Sequence, residues 1–392
     1  MLDIDECREE TPGCRSKIHF NNAGASLMPA SVLGAMTDYL DLEAIMGGYE
    51  TADLKAEDIE GFYDSLAKLL SCLPPNIAFM SSATSAFAKA LSCIPFTRGD
   101  SILIAREDYI SNQLAFLSIQ KRFGIVLLRA ESLPEGGVDV DDMKRLMDRH
   151  HPKLVSLTHI PTNSGLIQPV EAVGALCRER NIPYLVDACQ SAGQLPLDVS
   201  KINCDFLSGT FRKFLRGPRG AGFLYVSDTI LQKSWEPLFI DMRGGDWTEK
   251  DAYTLRPDAR RFEEWELPYA LVMGSKAAVD YALKTDLQEI SDRNSQLCSL
   301  VRKKLEAIGL TPLDQGQKLG SIITVKIPDQ ESATVLQMLR KKSINTSIST
   351  RGYALIDFDA KGVNWALRIS PHYYNTENEV DKLQQALVEI MN

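Results

Sequence analysis

Between residues 75 and 230, short apolar runs alternate with stretches of helical periodicity, and this alternation narrows the fold more than any other feature. Ser101–Ala105, Gly124–Leu128, Lys153–Leu157, Tyr184–Val186 and Gly222–Val226 read as strands. Pro169–Glu179 reads as one of the helices between them. A strand that is apolar on both faces must be covered on both faces. Strand–helix alternation of this kind therefore predicts an α/β architecture with a mostly parallel sheet flanked by helices.

From about residue 270 the pattern changes. Ala270–Leu305 reads as one helix with its Lys, Asp and Arg residues on a single face. A strand at Ser321–Ile327, an amphipathic helix at Ser332–Lys342, an apolar run at Ala366–Ile369 and a helix at Thr376–Met391 follow. This predicts a large domain over 18–270 and a small α+β domain over 271–392, with residues 1–17 packed nearby.

A formal charge of -9, from 43 Lys and Arg against 52 Asp and Glu, leaves no broad basic surface for nucleic acid. No uncharged apolar run approaches the roughly 20 residues of a membrane span. The acidic start, Met1 to Glu10, lacks the apolar stretch of a secretion signal. A cytoplasmic protein is expected. The 8 cysteines form no CxxC pair, which argues for reduced thiols and against a zinc ribbon, and no metal site is expected.

Three segments carry candidate chemistry. Leu185–Gly193 ends an apolar strand in Asp187, placing a carboxylate at the edge of the sheet where ligands bind in open α/β folds. An aspartate that caps a turn looks the same locally. In Asp205–Gly220, Lys213 lies among hydroxyls, Arg212, Arg216, Arg219 and a Gly-Pro turn. Neighbouring cations depress an amine's pKa and attract phosphate. In Met80–Ala88, small and hydroxyl residues precede a helical pattern, which suits an anion at a helix start or an ordinary N-cap.

In order and spacing these segments resemble the class V aminotransferase and cysteine desulfurase superfamily, over about Ile18 to Leu387. The most specific piece is Asp187-x-x-Gln190 followed by Lys213 just before Gly217-Pro218-x-Gly220. The resemblance implies a fold-type-I pyridoxal 5′-phosphate (PLP) enzyme with a sheet of the seven-stranded type. It implies a Schiff base on Lys213, with Asp187 paired to the pyridinium nitrogen and Gln190 on the phenolic oxygen. It puts Ala83, Thr84, Thr210 and Arg212 at the phosphate, Tyr109 on the ring face and Asn163 near the ring, a role that Thr162 could fill instead. Arg368 and Arg351 would face the substrate, with the loop around Asn22 and Ala23 meeting its carboxylate. A homodimer with shared active sites and a small amino-acid substrate are also implied.

The chain departs from the pattern of its relatives in two places. The loop that carries the persulfide cysteine reads Arg351-Gly352-Tyr353-Ala354-Leu355-Ile356-Asp357-Phe358 here. Near residue 265, Trp265-Glu266 stands where relatives often have Gly-Thr, so Trp265 becomes a candidate pocket wall. The combination most resembles the carbon–sulfur lyase branch, such as the ergothioneine-pathway lyase, and implies β-elimination from a cysteine conjugate or sulfoxide. Class V aminotransferases and isopenicillin N epimerase-like proteins share the same starting residues, so transamination and epimerisation stay open as outcomes.

Overall fold

The structure, a computed structural model, describes residues 2–392. Seven strands form the central sheet: β1 (Ile77–Met80), β2 (Ser101–Ile104), β3 (Val126–Arg129), β4 (Leu154–Thr158), β5 (Tyr184–Asp187), β6 (Phe206–Thr210) and β7 (Gly222–Val226). Their order is β1-β7-β6-β5-β4-β2-β3. Strands β2 to β6 run parallel, and β7 is antiparallel to both its neighbours. Successive residues feed opposite cores. Leu103, Val155, Leu157 and Leu207 pack on one face, and Ile102, Leu154, Leu185 and Phe206 on the other. This double burial is why the strands read as apolar runs without alternation.

The run at Gly124 starts later than expected, because Gly124 sits at φ 69° as the C-cap of helix Ile110–Phe123. Sequence reading missed β1 and β6 as strands. It also missed helices Ala30–Met46 and Ala56–Leu70, and the exposed hairpin Gly245–Glu249 with Ala252–Leu255.

The small body is built on β8 (Ile323–Val325), β9 (Ser347–Thr350) and β10 (Trp365–Ile369), with β10 central and all pairs antiparallel. Its core joins Leu297, Val301, Ile323, Leu367, Leu383 and Leu387. The single helix expected over 270–305 is two, Tyr269–Thr285 and Leu287–Glu306. They break at Asp286, where φ is 72° and the side chain accepts from the Gln288 and Glu289 amides. The first helix buries Val272, Val279 and Ala282 in the core of the large body. Ile18–His19 pairs with Ile344–Asn345, and Phe20 is part of the small core, so residues 18–20 pack with the small body. Helix Ile4–Glu9 is anchored by Cys7 against Ile290, Tyr373 and Tyr374.

Gly193 allows the segment after β5 to touch the segment after β6. Its φ is 90°, and an added Cβ would lie 2.4 Å from both the Leu215 nitrogen and the Phe214 carbonyl carbon. Both neighbours are backbone atoms, so no side chain can move aside. Gly193→Ala should destabilise the protein by about 2 kcal/mol or more, combining left-handed strain with overlap. A urea unfolding curve with an unchanged midpoint would contradict this.

Candidate active site

The sheet's parallel strands all end on one edge. Register places Thr158 opposite Asp187 and Asp187 opposite Ser208. Met80 and Thr210 both face Gly222, so the helix Ala83–Ser92 begins beside the end of β6. An added Cβ on Gly222 would lie 2.6 Å from the Ser82 carbonyl carbon and 2.7 Å from the Ala83 nitrogen, so glycine is what admits the helix start. Ser82 caps the Ser85 amide at 3.0 Å. The amides of Ala83 and Thr84, in the first turn, have no acceptor within the helix. Thr84 is exposed and Thr210 is buried, its hydroxyl donating to the Ala221 carbonyl at 3.3 Å. Arg212 donates to the Gly24 carbonyl, and burial lowers its pKa. A helix start with free amides, two hydroxyls and a guanidinium at one edge suits a phosphate.

Lys213 follows β6 by three residues and is 6% exposed. Burial lowers its amine pKa, and Arg212 and Arg368 push the same way, against Cys189 and Asp187. Among the described residues it makes no ion pair. Its Nζ lies 5.8 Å from the centre of the Tyr109 ring. Asp187, 4% exposed, accepts from the Cys189 amide at 2.9 Å and from Asn112 Nδ2 at 2.9 Å. Asn112 was missed in the sequence. Its position, one helical turn after the Tyr109 loop, was the available signal. The same Nδ2 donates to Asp108 at 3.0 Å, and the Thr158 hydroxyl also reaches Asp108. Burial pushes Asp108 up to about 6, against the hydrogen bonds from Thr158 and Asn112.

Gln190 donates to the Ala23 carbonyl at 3.1 Å and to Thr162 Oγ1 at 2.6 Å. Arg368, on β10, donates through Nη1 to the Thr162 carbonyl and Oγ1, both at 3.1 Å, and through Nη2 to Asn21 Oδ1 at 3.3 Å. It is 9% exposed and makes no ion pair among the described residues. Burial, then Arg212, lowers its pKa to about 10. Gln190 Oε1, Ser208 Oγ and Arg368 Nε are buried without a partner. A buried guanidinium with a free N–H and no carboxylate calls for an anion. The set fits PLP and an amino acid: a buried amine, a carboxylate held by two donors, an aromatic face, a phosphate-suited edge and a guanidinium left for a carboxylate.

The remaining expected positions make contacts of their own. Asn163 Nδ2 donates to the Tyr353 carbonyl at 3.0 Å, and Thr162 takes the place between Gln190 and Arg368. Arg351 pairs with Asp359 at the surface, because helix Leu355–Lys361 brings that acid within reach. Asn22 is occupied by Ser370 at 2.8 Å and Tyr374 at 2.5 Å, so the contact to Arg368 comes from Asn21. Ala23 bonds Ser370 Oγ through its amide and Gln190 through its carbonyl. Arg216 belongs to a buried cage with Tyr373, Tyr374 and Tyr281, whereas Arg219 is exposed and its charge adds to the lowering of the Arg212 pKa. Trp265 is 47% exposed and makes its one hydrogen bond, through its amide, to Asp241.

The chain's similarity to known proteins runs through this whole arrangement. The family model described as aminotransferase class-V matches residues 18–383. A probable cysteine desulfurase of Methanothermobacter thermautotrophicus is 26% identical, covering 100% of this chain and 98% of that protein. Isopenicillin N epimerase of Streptomyces clavuligerus is 25% identical, covering 83% of this chain and 82% of that one. The apo structure of a cysteine desulfurase from Thermococcus onnurineus NA1 superposes with a TM-score of 0.92 at 24% identity, covering 100% of this chain and 98% of that one. Its fold is therefore that of fold-type-I PLP enzymes. The chain belongs to the class-V aminotransferase family, an enzyme family whose cofactor is pyridoxal 5′-phosphate.

Proposed function

We propose that this enzyme cleaves a carbon–sulfur bond by β-elimination, acting on a cysteine conjugate or sulfoxide. The observation that carries the reading is the state of its thiols. Burial raises the pKa of all eight: Cys7, Cys14, Cys72, Cys93, Cys177, Cys189, Cys204 and Cys298. Cys189, beside Asp187, is raised well above its ordinary value. A thiol takes up sulfur as its thiolate, which needs an activating environment. Burial outweighs the nearby cations at each thiol and the loop 351–358 holds no cysteine, so in this reading sulfur departs with the leaving group instead of being captured on the protein.

When bound, PLP stabilises negative charge at the substrate Cα. Asp187 would keep its ring nitrogen protonated, fixed in place by Asn112 and the Cys189 amide. Arg368 binds the substrate carboxylate with its free Nε edge, and that grip sets which Cα bond is cleaved. The low proton affinity of buried Lys213 suits it to take the Cα proton as general base. Tyr109 shields one side of the amine.

The proposal extends to a cytoplasmic homodimer. No helix among the described residues is long and apolar enough to cross a membrane. Ile45, Tyr49 and Leu54, on neighbouring helices, are exposed at 82%, 73% and 59%, which supports a covering second copy. A monomer mass in sedimentation equilibrium would remove the dimer. For the reaction, the holoenzyme should release pyruvate and ammonia from cysteine S-conjugates with no keto acid added. A strict keto-acid requirement would establish transamination instead, and inversion at Cα without release of the sulfur fragment would establish epimerisation.

A further inference from the structure

A cavity of about 230 Å³ lies between the loop Gly352–Asp357 and the first turns of helix Ile110–Phe123. Its lining residues adjoin those that hold the Lys213 cluster. Pro161 and Asn163 line it and flank Thr162, which holds Arg368. Asp108 lines it and is bonded to Asn112, which holds Asp187. Ile110, Leu114, Leu117 and Leu355 give it apolar sides.

The polar groups of the cavity are unevenly satisfied. Arg106 is paired with Glu131. Asp357 is paired with Lys361 at 2.7 Å. Arg129 donates to Gln113 Oε1 at 3.2 Å, although its Nε stays free. Glu107 Oε2 is buried without a hydrogen bond, while Ser164 and Lys361 act on the same carboxyl. Three carboxylates line the space, Glu107, Asp108 and Asp357, against two guanidiniums. A buried acceptor without a donor is costly until a ligand donates to it, and a carboxylate rewards a charged donor most. Burial, then the charge on Asp357, pushes Glu107 up to about 7, against Lys361 and Ser164, and a further cation donating to Oε2 would favour its ionised form.

We propose that this cavity is the subsite for the far end of the substrate side chain, and that Glu107 selects side chains ending in an ammonium or similar cationic donor. The proposal rests on the amino-acid-processing reading above but not on elimination itself. The apolar sides hold a methylene chain of a few carbons, and the acid receives its tip.

The test is calorimetric titration of the holoenzyme with three amino acids of matched length: lysine, 2-aminoheptanoate and 2-aminopimelate. None has a leaving group on Cβ, so the result is independent of the lyase reading, which the pyruvate assay decides separately. Lysine should bind about tenfold or more tighter than 2-aminoheptanoate, and 2-aminopimelate weakest. Glu107→Gln should weaken lysine about tenfold while leaving 2-aminoheptanoate unchanged, which also shows that the variant is folded. Equal affinity for lysine and 2-aminoheptanoate would overturn the proposal. So would preference for 2-aminopimelate, which would make Arg129 the reader, or equal weakening of all three by Glu107→Gln.

Discussion

The site depends on positive charge held out of water with too few acids to balance it. Lys213, Arg212 and Arg368 are gathered at one edge of the sheet, and neither Lys213 nor Arg368 has an ion pair among the described residues. A guanidinium in this state destabilises a protein unless an anion arrives, and burial lowers the pKa of the Lys213 amine. The cofactor's phosphate and the substrate's carboxylate are such anions. An anion bound at Arg368 would offset the cost of burying its guanidinium, which links stability to function. Asp187 is the acid that acts on Lys213, held by two donors so that its position does not depend on the lysine.

Much of this was legible in the sequence because the parallel sheet writes itself plainly. Doubly buried strands gave uninterrupted apolar runs, and Asp187, Gln190, Lys213 and Arg368 fell at the ends of strands or just after them. β6 was hidden by its own composition, Phe-Leu-Ser-Gly-Thr, whose small polar residues read as part of the lysine loop. Helix Ala30–Met46 was hidden because its Leu33, Leu40 and Ile45 are exposed and give no clean amphipathic stripe. The break at Asp286 rests on a left-handed aspartate, which leaves little trace in a helical pattern.

The side-chain errors share one cause. A motif locates a segment, but neighbours distant in sequence decide which side chain points inward. Tyr374 and Ser370 occupy Asn22, which turns Asn21 toward Arg368. Tyr353 takes Asn163 and leaves the site to Thr162. Asp359 draws Arg351 to the surface, and three tyrosines take Arg216 into a structural cage. The loop Gly352–Asp357 carries apolar residues and an acid, and what it lines is a cavity suited to a longer side chain.

The most direct measurement is to reduce the holoenzyme with borohydride, digest it and locate the phosphopyridoxyl group by mass spectrometry. Reduction fixes the cofactor to whichever amine it has condensed with. The account requires the group on the peptide containing Lys213, and absent when that residue is alanine. The same modification on another lysine, or none in a yellow and active preparation, would contradict it.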